Sequence, residues 1–395
     1  FAGINGSGKH CNWSMSVIAD SSELDGLNLL KPGKTPHQNI RFLAFLAAVL
    51  KGVHKHSGLL RAGIATSGNE HRLGANEAPP AIISVFMGDM LTKVIEEIAA
   101  GKSSASADEQ MIKLGVAKLP EVQRDNTDRN RTSPFAFTGQ KFEFRAVGSS
   151  ASIAFPVALL NTAVADAIGE ITDSLRETLK KTKSVDDAVL KVVREAFKES
   201  TPVRFEGNNY SEEWVKEAKK RGLPNLRRTP EALKELVSKQ SRALLTKLGV
   251  LTKEELESRY HVRVERYVKD MLIELHTMRE IVDTLVIPAA YGYLNLLSEA
   301  ASQSKAAGIA VIPQVTTANQ VGELVQELQE FREDLSDVMA RVEAKHDDPT
   351  GQAEMLTSEG ADTMAEVRKV CDALELSVGD DYWPLPKYRE MLFPV

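Results

Sequence analysis

Cysteine is almost absent. The 395 residues include only two, Cys11 and Cys371, far apart in the chain. A disulfide framework is therefore excluded, and a reducing compartment, the cytoplasm or an organelle, is the expected location. Basic charge is not in excess either. Lys and Arg number 49 against 55 Asp and Glu, a formal net charge of −6, which argues against a nucleic-acid partner. No uninterrupted apolar run reaches the ~18 residues of a membrane span, so no membrane partner is expected. An initiator Met and a signal-like n- and h-region are also missing at Phe1. A motif-rich strand at the very first residues reads as a piece whose upstream part lies elsewhere. What is present is ordinary for a globular protein, with 43% apolar and 26% charged residues. The length suffices for two or three domains with a sizeable core.

The stretch GINGSGKHC near the start matches most of a phosphate-binding loop, with Gly3, Gly8 and Lys9 in place. His10 stands where the hydroxyl residue of such a loop belongs. A P-loop also needs a strand before it and a helix after it. Here only two residues precede Gly3, and CNWSMSVIAD alternates apolar Trp13, Met15 and Val17 with polar Asn12, Ser14 and Ser16. Period-2 alternation is a strand. The remaining reading is a Gly-rich turn that delivers an imidazole, a ligand type for divalent metals, with Lys9 incidental.

The chain reads as two parts. Residues 1–155 are rich in Gly, Pro and short apolar runs. Thr35 and Pro36 open a helix over PHQNIRFLAFLAAVLKGVHKH. A loop follows, and Pro80 is expected to start a second helix closed by Gly101. KFEFRAV (141–147) alternates as a strand, with Phe142, Phe144 and Ala146 on one face and Lys141, Glu143 and Arg145 on the other. Residues 156–395 are expected to be helical. Thr252 and Glu255 form a capping box, and Leu256, Tyr260, Val264, Tyr267, Met271, Leu275 and Met278 recur at helical spacing. Thr229 and Pro230 mark another helix start. GELVQELQEFREDLSDVMARVEAK is amphipathic throughout.

Polar residues concentrate in four stretches of the first part: Asn5, Gly6, His10, Asn12 and Ser14; Arg72, Asn76 and Glu77; Arg129 and Arg131; and Lys141, Glu143 and Arg145. Strand alternation puts His10, Asn12 and Ser14 on one face. A carboxylate between two cations on a strand face is either a solvated ladder or a metal ligand beside anion-binding groups. His10 with Glu143 would give a mixed N/O set suited to Mg²⁺ or Mn²⁺, given further carboxylates. GANEAPP is either a surface loop or a mobile lid.

Together these stretches resemble the glutamine synthetase family. NGSGKHCNWSM is similar to its glycine-loop signature, RLGANEAPPA to its flap, and NRTSPF with KFEFR to its Asn-Arg-Ser and Arg-x-Glu-x-Arg segments. GNEHRLGANEAPPAIISVF, the terminal WPLPKYREMLF and the long helical tail are most similar to the large type III enzymes. The resemblance implies an α+β fold of the glutamine synthetase/guanido kinase type. In it, 1–155 is the C-terminal part of the catalytic domain, an antiparallel sheet with helices, and 156–395 is a helical extension. It implies ATP-dependent joining of ammonia to the γ-carboxylate of glutamate through γ-glutamyl phosphate, with Mg²⁺ or Mn²⁺. It also implies a homo-oligomeric ring, a dodecamer in the full-length form. By motif position, His10 and Glu143 would be metal ligands. Asn5, Gly6, Arg72 and Arg145 would hold glutamate. Asn12, Ser14, Arg131 and Lys141 would lie at ATP, with Arg131 also stabilising the transferred phosphoryl group. Glu77 would be the catalytic flap carboxylate that takes a proton from ammonium.

Three positions depart from the family pattern. Asn12 replaces a His common in the bacterial enzymes, and Ala136 stands where a second Arg is frequent. The upstream half, with its Glu-x-Glu strand and further metal ligands, is not in this sequence. Two rival readings follow: a γ-glutamyl ligase of the same family that uses another amine, and a non-catalytic or regulatory relative.

Overall fold

A computed structural model describes residues 8–20, 24–75, 78–101, 133–387 and 390–391. The chain divides into two compact units, Ala2–Tyr260 and His261–Val395.

The first unit is built on a four-stranded sheet of order β1-β4-β3-β2, with β1 Gly8–Trp13, β2 Val85–Phe86, β3 Phe135–Phe137 and β4 Phe142–Gly148. β4 is antiparallel to both β1 and β3. β2 runs parallel to β3, so the sheet is mixed where a purely antiparallel one was expected. The β3–β4 connection is tight: Thr138 N donates to Lys141 O at 2.8 Å. Gly139 takes φ +85°, a backbone state in which a Cβ is strained. Phe135, Phe137, Phe142 and Phe144 interlock beneath the sheet. Phe135 stacks on Phe142 at 4.6 Å, and Phe137 meets the same ring edge-on at 5.2 Å. Such pairs add roughly 0.5–1.5 kcal/mol each beyond area burial.

Helix α1 (Pro36–Lys55) has the expected start, a full capping box between Thr35 and Gln38. Its face of Phe42, Leu43, Leu46 and Leu50 is buried. Gly52 lets it lie close to helix α5 (Ala154–Leu179), because a Cβ there would sit 2.7 Å from the Ala163 carbonyl. A short helix α2 (Ser57–Gly63) follows, and its end together with α3 (Ser67–Arg72) lies within residues 61–80, which the sequence presents as a loop. The helix expected from Pro80 begins only at Asp89, as α4 (Asp89–Ala100), capped by Gly101 as expected. Its first residues form β2 instead. AIISVFM is apolar except for Ser84 and buried at every position, so periodicity cannot separate strand from helix, and β-branched Ile82, Ile83 and Val85 favour the strand. Gly88 at φ +82° then breaks the chain direction.

Helix α6 (Val185–Glu199) and short helices α7 (Glu212–Lys220), α8 (Thr229–Lys234) and α9 (Lys239–Lys247) complete this unit. Their residues Leu190, Phe197, Trp214 and Leu245, with Leu236 of the turn between α8 and α9, join the same core as the sheet. α10 (Lys253–Ile281) starts with the expected box: Thr252 N donates to Glu255 Oε2 at 2.8 Å, and Glu255 N to Thr252 Oγ1 at 3.2 Å. Of its spaced apolar positions, Leu256, Val264, Tyr267, Met271 and Leu275 are buried.

The second unit is helical among its described residues. It contains α11 (Ile287–Ala306), α12 (Ile312–Glu343), α13 (Pro349–Met355) and α14 (Ala361–Ser377). Val286, Val321, Val325, Leu328, Val367, Val370 and Leu374 form its core. A π-turn over Val282–Val286 precedes Pro288. Proline lacks an N–H and crowds the carbonyl four residues back, and the wider turn absorbs both defects. Two helical runs, Ala154–Leu179 and Lys253–Ala306, are long and apolar enough on average to cross a membrane. Charged residues interrupt both, which is why no unbroken apolar run marks them. Leu159, Leu160, Ala163, Val164 and Ala167 of the first are used in the core.

Candidate active site

His10 and Glu143 meet on the neighbouring strands β1 and β4. His10 Nδ1 lies 3.9 Å from Glu143 Oε2, with side chains 53% and 19% exposed. Asn12 faces Glu143 in the register and is exposed, whereas Cys11 and Trp13 between and beyond them are buried. The alternation expected from the sequence thus holds from His10 to Trp13, but Lys9 is exposed beside His10, and β1 ends at Trp13 where the strand was expected to continue through SMSVIAD. Ser14 and Lys141 lie at the hairpin end of this strand pair, and Ser14 Oγ sits 2.9 Å from Asn28 Oδ1 and 3.0 Å from Gln140 O.

Two donors each about 2.1 Å from a shared ion stand at most about 4.2 Å apart, so the His10–Glu143 separation fits a common divalent cation. Among the described residues, no third His, Cys, Asp or Glu joins them.

The two arginines of the described site are buried, not arrayed on a solvated ladder. Arg145 is 5% exposed, and its Nη2 donates to the Ser133 carbonyl. Arg72, in the last turn of α3, is 7% exposed. Its Nη2 donates to Arg145 O at 2.7 Å and its Nη1 to Asn69 Oδ1 at 3.2 Å. Burial pushes the Arg72 guanidinium below its usual range, and the nearby Tyr210 hydroxyl partly offsets this. The guanidinium lies against Gly8, where a Cβ would fall 2.0 Å from Nη2. Lys9 Nζ donates to Ala151 O at 2.6 Å, a tie between β1 and the turn before α5.

Asn5, Gly6, Asn76, Glu77, Arg129 and Arg131 lie outside the described residues. So the structure brings together His10, Asn12 and Glu143, and places Arg72 against the backbone of Arg145.

Segments beyond residue 155 support this arrangement. Glu70 of α3 accepts from Thr229 N at 2.6 Å and from Arg228 Nη1 at 3.3 Å. Phe205 N donates to Val85 O at 2.9 Å, extending the β2 edge. Glu206 accepts from Met87 N, Gly88 N and Thr92 Oγ1, at 2.9, 3.0 and 2.7 Å, and so caps α4. Burial raises its pKa, and these hydrogen bonds oppose the shift. Asn69 and Tyr210 were not legible as site residues. One lies between motif residues in an unremarkable SGNEH, and the other lies far outside the motif-bearing part.

The family model for the glutamine synthetase C-terminal domain matches residues 188–305. Over its whole length the chain is 38% identical to a glutamine synthetase of Bacteroides fragilis and 36% identical to one of Butyrivibrio fibrisolvens. The chain belongs to the glutamine synthetase family. It is 41% identical, again over its whole length, to the type-3 glutamine synthetase of Dictyostelium discoideum, which sets it with the type III members. The chain spans about half the length of these curated relatives, 53–55%.

Proposed function

We propose that this chain is the C-terminal portion of a glutamate–ammonia ligase. It takes part in the ATP-dependent conversion of glutamate and ammonia to glutamine. The observation that carries the reading is the His10–Glu143 pair, brought to 3.9 Å on one exposed face from opposite ends of the motif-bearing region. In this reading residues 1–155 are the end of a catalytic domain, and 156–395 are a helical extension that takes part in ring assembly of a cytoplasmic homo-oligomer.

His10 and Glu143 hold one divalent metal, and upstream carboxylates complete its shell. The metal, when bound, neutralises charge between the polyphosphate and the glutamate carboxylate. Asn5, Gly6, Arg72 and Arg145 orient glutamate. Asn12, Ser14 and Lys141 lie by the nucleotide. Arg131 stabilises the phosphoryl group as it passes from ATP to the γ-carboxylate. Glu77 takes a proton from ammonium, so that free ammonia attacks the acyl phosphate and phosphate leaves. The flap around it keeps water from that intermediate.

The test is glutamine formation and γ-glutamyl transfer, with Mg²⁺ and Mn²⁺ in parallel, for this chain alone and for the chain joined to its upstream coding region. Activity in the longer polypeptide only, abolished by Glu143→Ala, is the expected result. Absence of ammonia-dependent activity in both, with the protein folded, refutes the reading and leaves another amine or a non-catalytic role.

A further inference from the structure

We infer that Asn69 is a positioning residue for the His10–Glu143 pair, acting through Arg72 and the backbone of β4. The inference rests on the reading of that pair as metal ligands. Its starting point is a break in strand register. At one end Gly8 faces Gly148 and Lys9 faces Val147; at the other, Cys11 faces Phe144, Asn12 faces Glu143 and Trp13 faces Phe142. Between them, two residues of β4, Arg145 and Ala146, oppose the single residue His10. This is a β-bulge at the site itself.

The bulge decides which way the carboxylate points. Continuing the Gly8–Gly148 register without it would set Glu143 opposite Trp13 and Phe144 opposite Asn12. Side chains of directly opposed residues share a face, so Glu143 would join the face on which Trp13 is buried. With the bulge, Glu143 shares the exposed face of His10 and Asn12.

A bulge leaves backbone groups outside the ladder, and each needs a partner. Arg145 N still reaches Pro134 O at 2.8 Å. The carbonyls of Arg145 and Ala146 are both taken by α3. Arg72 Nη2 donates to the first at 2.7 Å, and Asn69 Nδ2 to the second at 2.9 Å. The rest of the Asn69 amide is engaged as well: Nδ2 also donates to Ile64 O at 2.8 Å, and Oδ1 accepts from Arg72 Nη1 at 3.2 Å. Asn69 is 3% exposed, so water does not stand in for it. One buried amide therefore holds both the bulge and the guanidinium that clips it.

Two variants perturb this clip in different ways. Asn69→Asp keeps the shape and loses both donors. Gly8→Ala removes nothing but puts a methyl 2.0 Å from Arg72 Nη2, which forces the guanidinium away from the Arg145 carbonyl. The assay is Mn²⁺ binding followed by electron paramagnetic resonance, on the chain joined to its upstream region, with far-UV circular dichroism to confirm folding. Both variants are expected to weaken Mn²⁺ binding about tenfold or more, as loss of a support behind a ligand does. Gln352→Glu, a buried amide change in the other unit, leaves affinity unchanged. Wild-type affinity in folded Asn69→Asp or Gly8→Ala overturns the inference while the metal reading stands. Should Asn69→Asp not fold, Gly8→Ala alone decides. Mn²⁺ binding that His10→Ala does not reduce overturns the metal reading and this inference together.

Discussion

Asp166 of α5 is a buried carboxylate, 6% exposed, at the junction of three helices. Lys55 Nζ lies 2.6 Å from Oδ2, His56 Nε2 3.1 Å from Oδ2, and Lys247 Nζ 3.4 Å from Oδ1. Burial by itself raises the acid's pKa. The hydrogen bonds from Lys55 and His56 outweigh it and hold Asp166 down at about 2, against 3.8 for the free side chain. A carboxyl whose folded-state pKa is depressed contributes stability above its unfolded pKa and loses it as pH falls through the folded value. That depression is worth on the order of 2 kcal/mol at neutral pH. By the same linkage relation most of it remains at pH 4 and little is left at pH 2. The substitution Asp166→Asn abolishes this titration. Trp13 and Trp214 are in the Ala2–Tyr260 unit, so a Trp383→Phe background makes tryptophan fluorescence report that unit. In that background, urea unfolding with and without Asp166→Asn should show a stability difference that shrinks by about 2 kcal/mol from pH 4 to pH 2. A difference that stays constant across that window refutes the assignment of Asp166 as an ion-paired, low-pKa group.

Phe142→Ala, which empties the centre of the phenylalanine cluster, should cost about 3–5 kcal/mol in the same urea assay; a loss under about 1 kcal/mol would mean that the sheet is not packed as described. Glu206→Ala strips acceptors from Met87 N and Gly88 N. It should cost about 1–3 kcal/mol, and hydrogen exchange should show the loss of protection concentrated in α4.

Much of the site was legible in the order of residues. KFEFR and CNWSMS each declare a strand, because side chains alternate and the polar set must share a face, although β1 itself runs Gly8–Trp13 and ends before Ser14. That His10 and Glu143 would lie side by side was implied only by the resemblance, since spacing within a strand says nothing about which strand lies beside it. The start of α1 was readable for a local reason: Thr35 and Gln38 satisfy amides only three residues away. The same locality explains Thr252 and Glu255. AIISVFM failed as a helix because it is buried on all sides, and its partner strand β3 is far along the chain. Asn69 was invisible because its role lies in two carbonyls that become available only where the β4 register breaks.

Sequence alone determined what depends on near neighbours: helix starts, strand faces, the identity of the polar residues and the family they resemble. Tertiary structure decided the rest. It set the mixed order of the sheet, the close approach of α1 and α5 at Gly52, the burial of Arg72 and Arg145, and the bulge that aims Glu143 at His10. Those features arise from hydrogen bonds and packing between segments remote in sequence, and no local pattern encodes such a pairing.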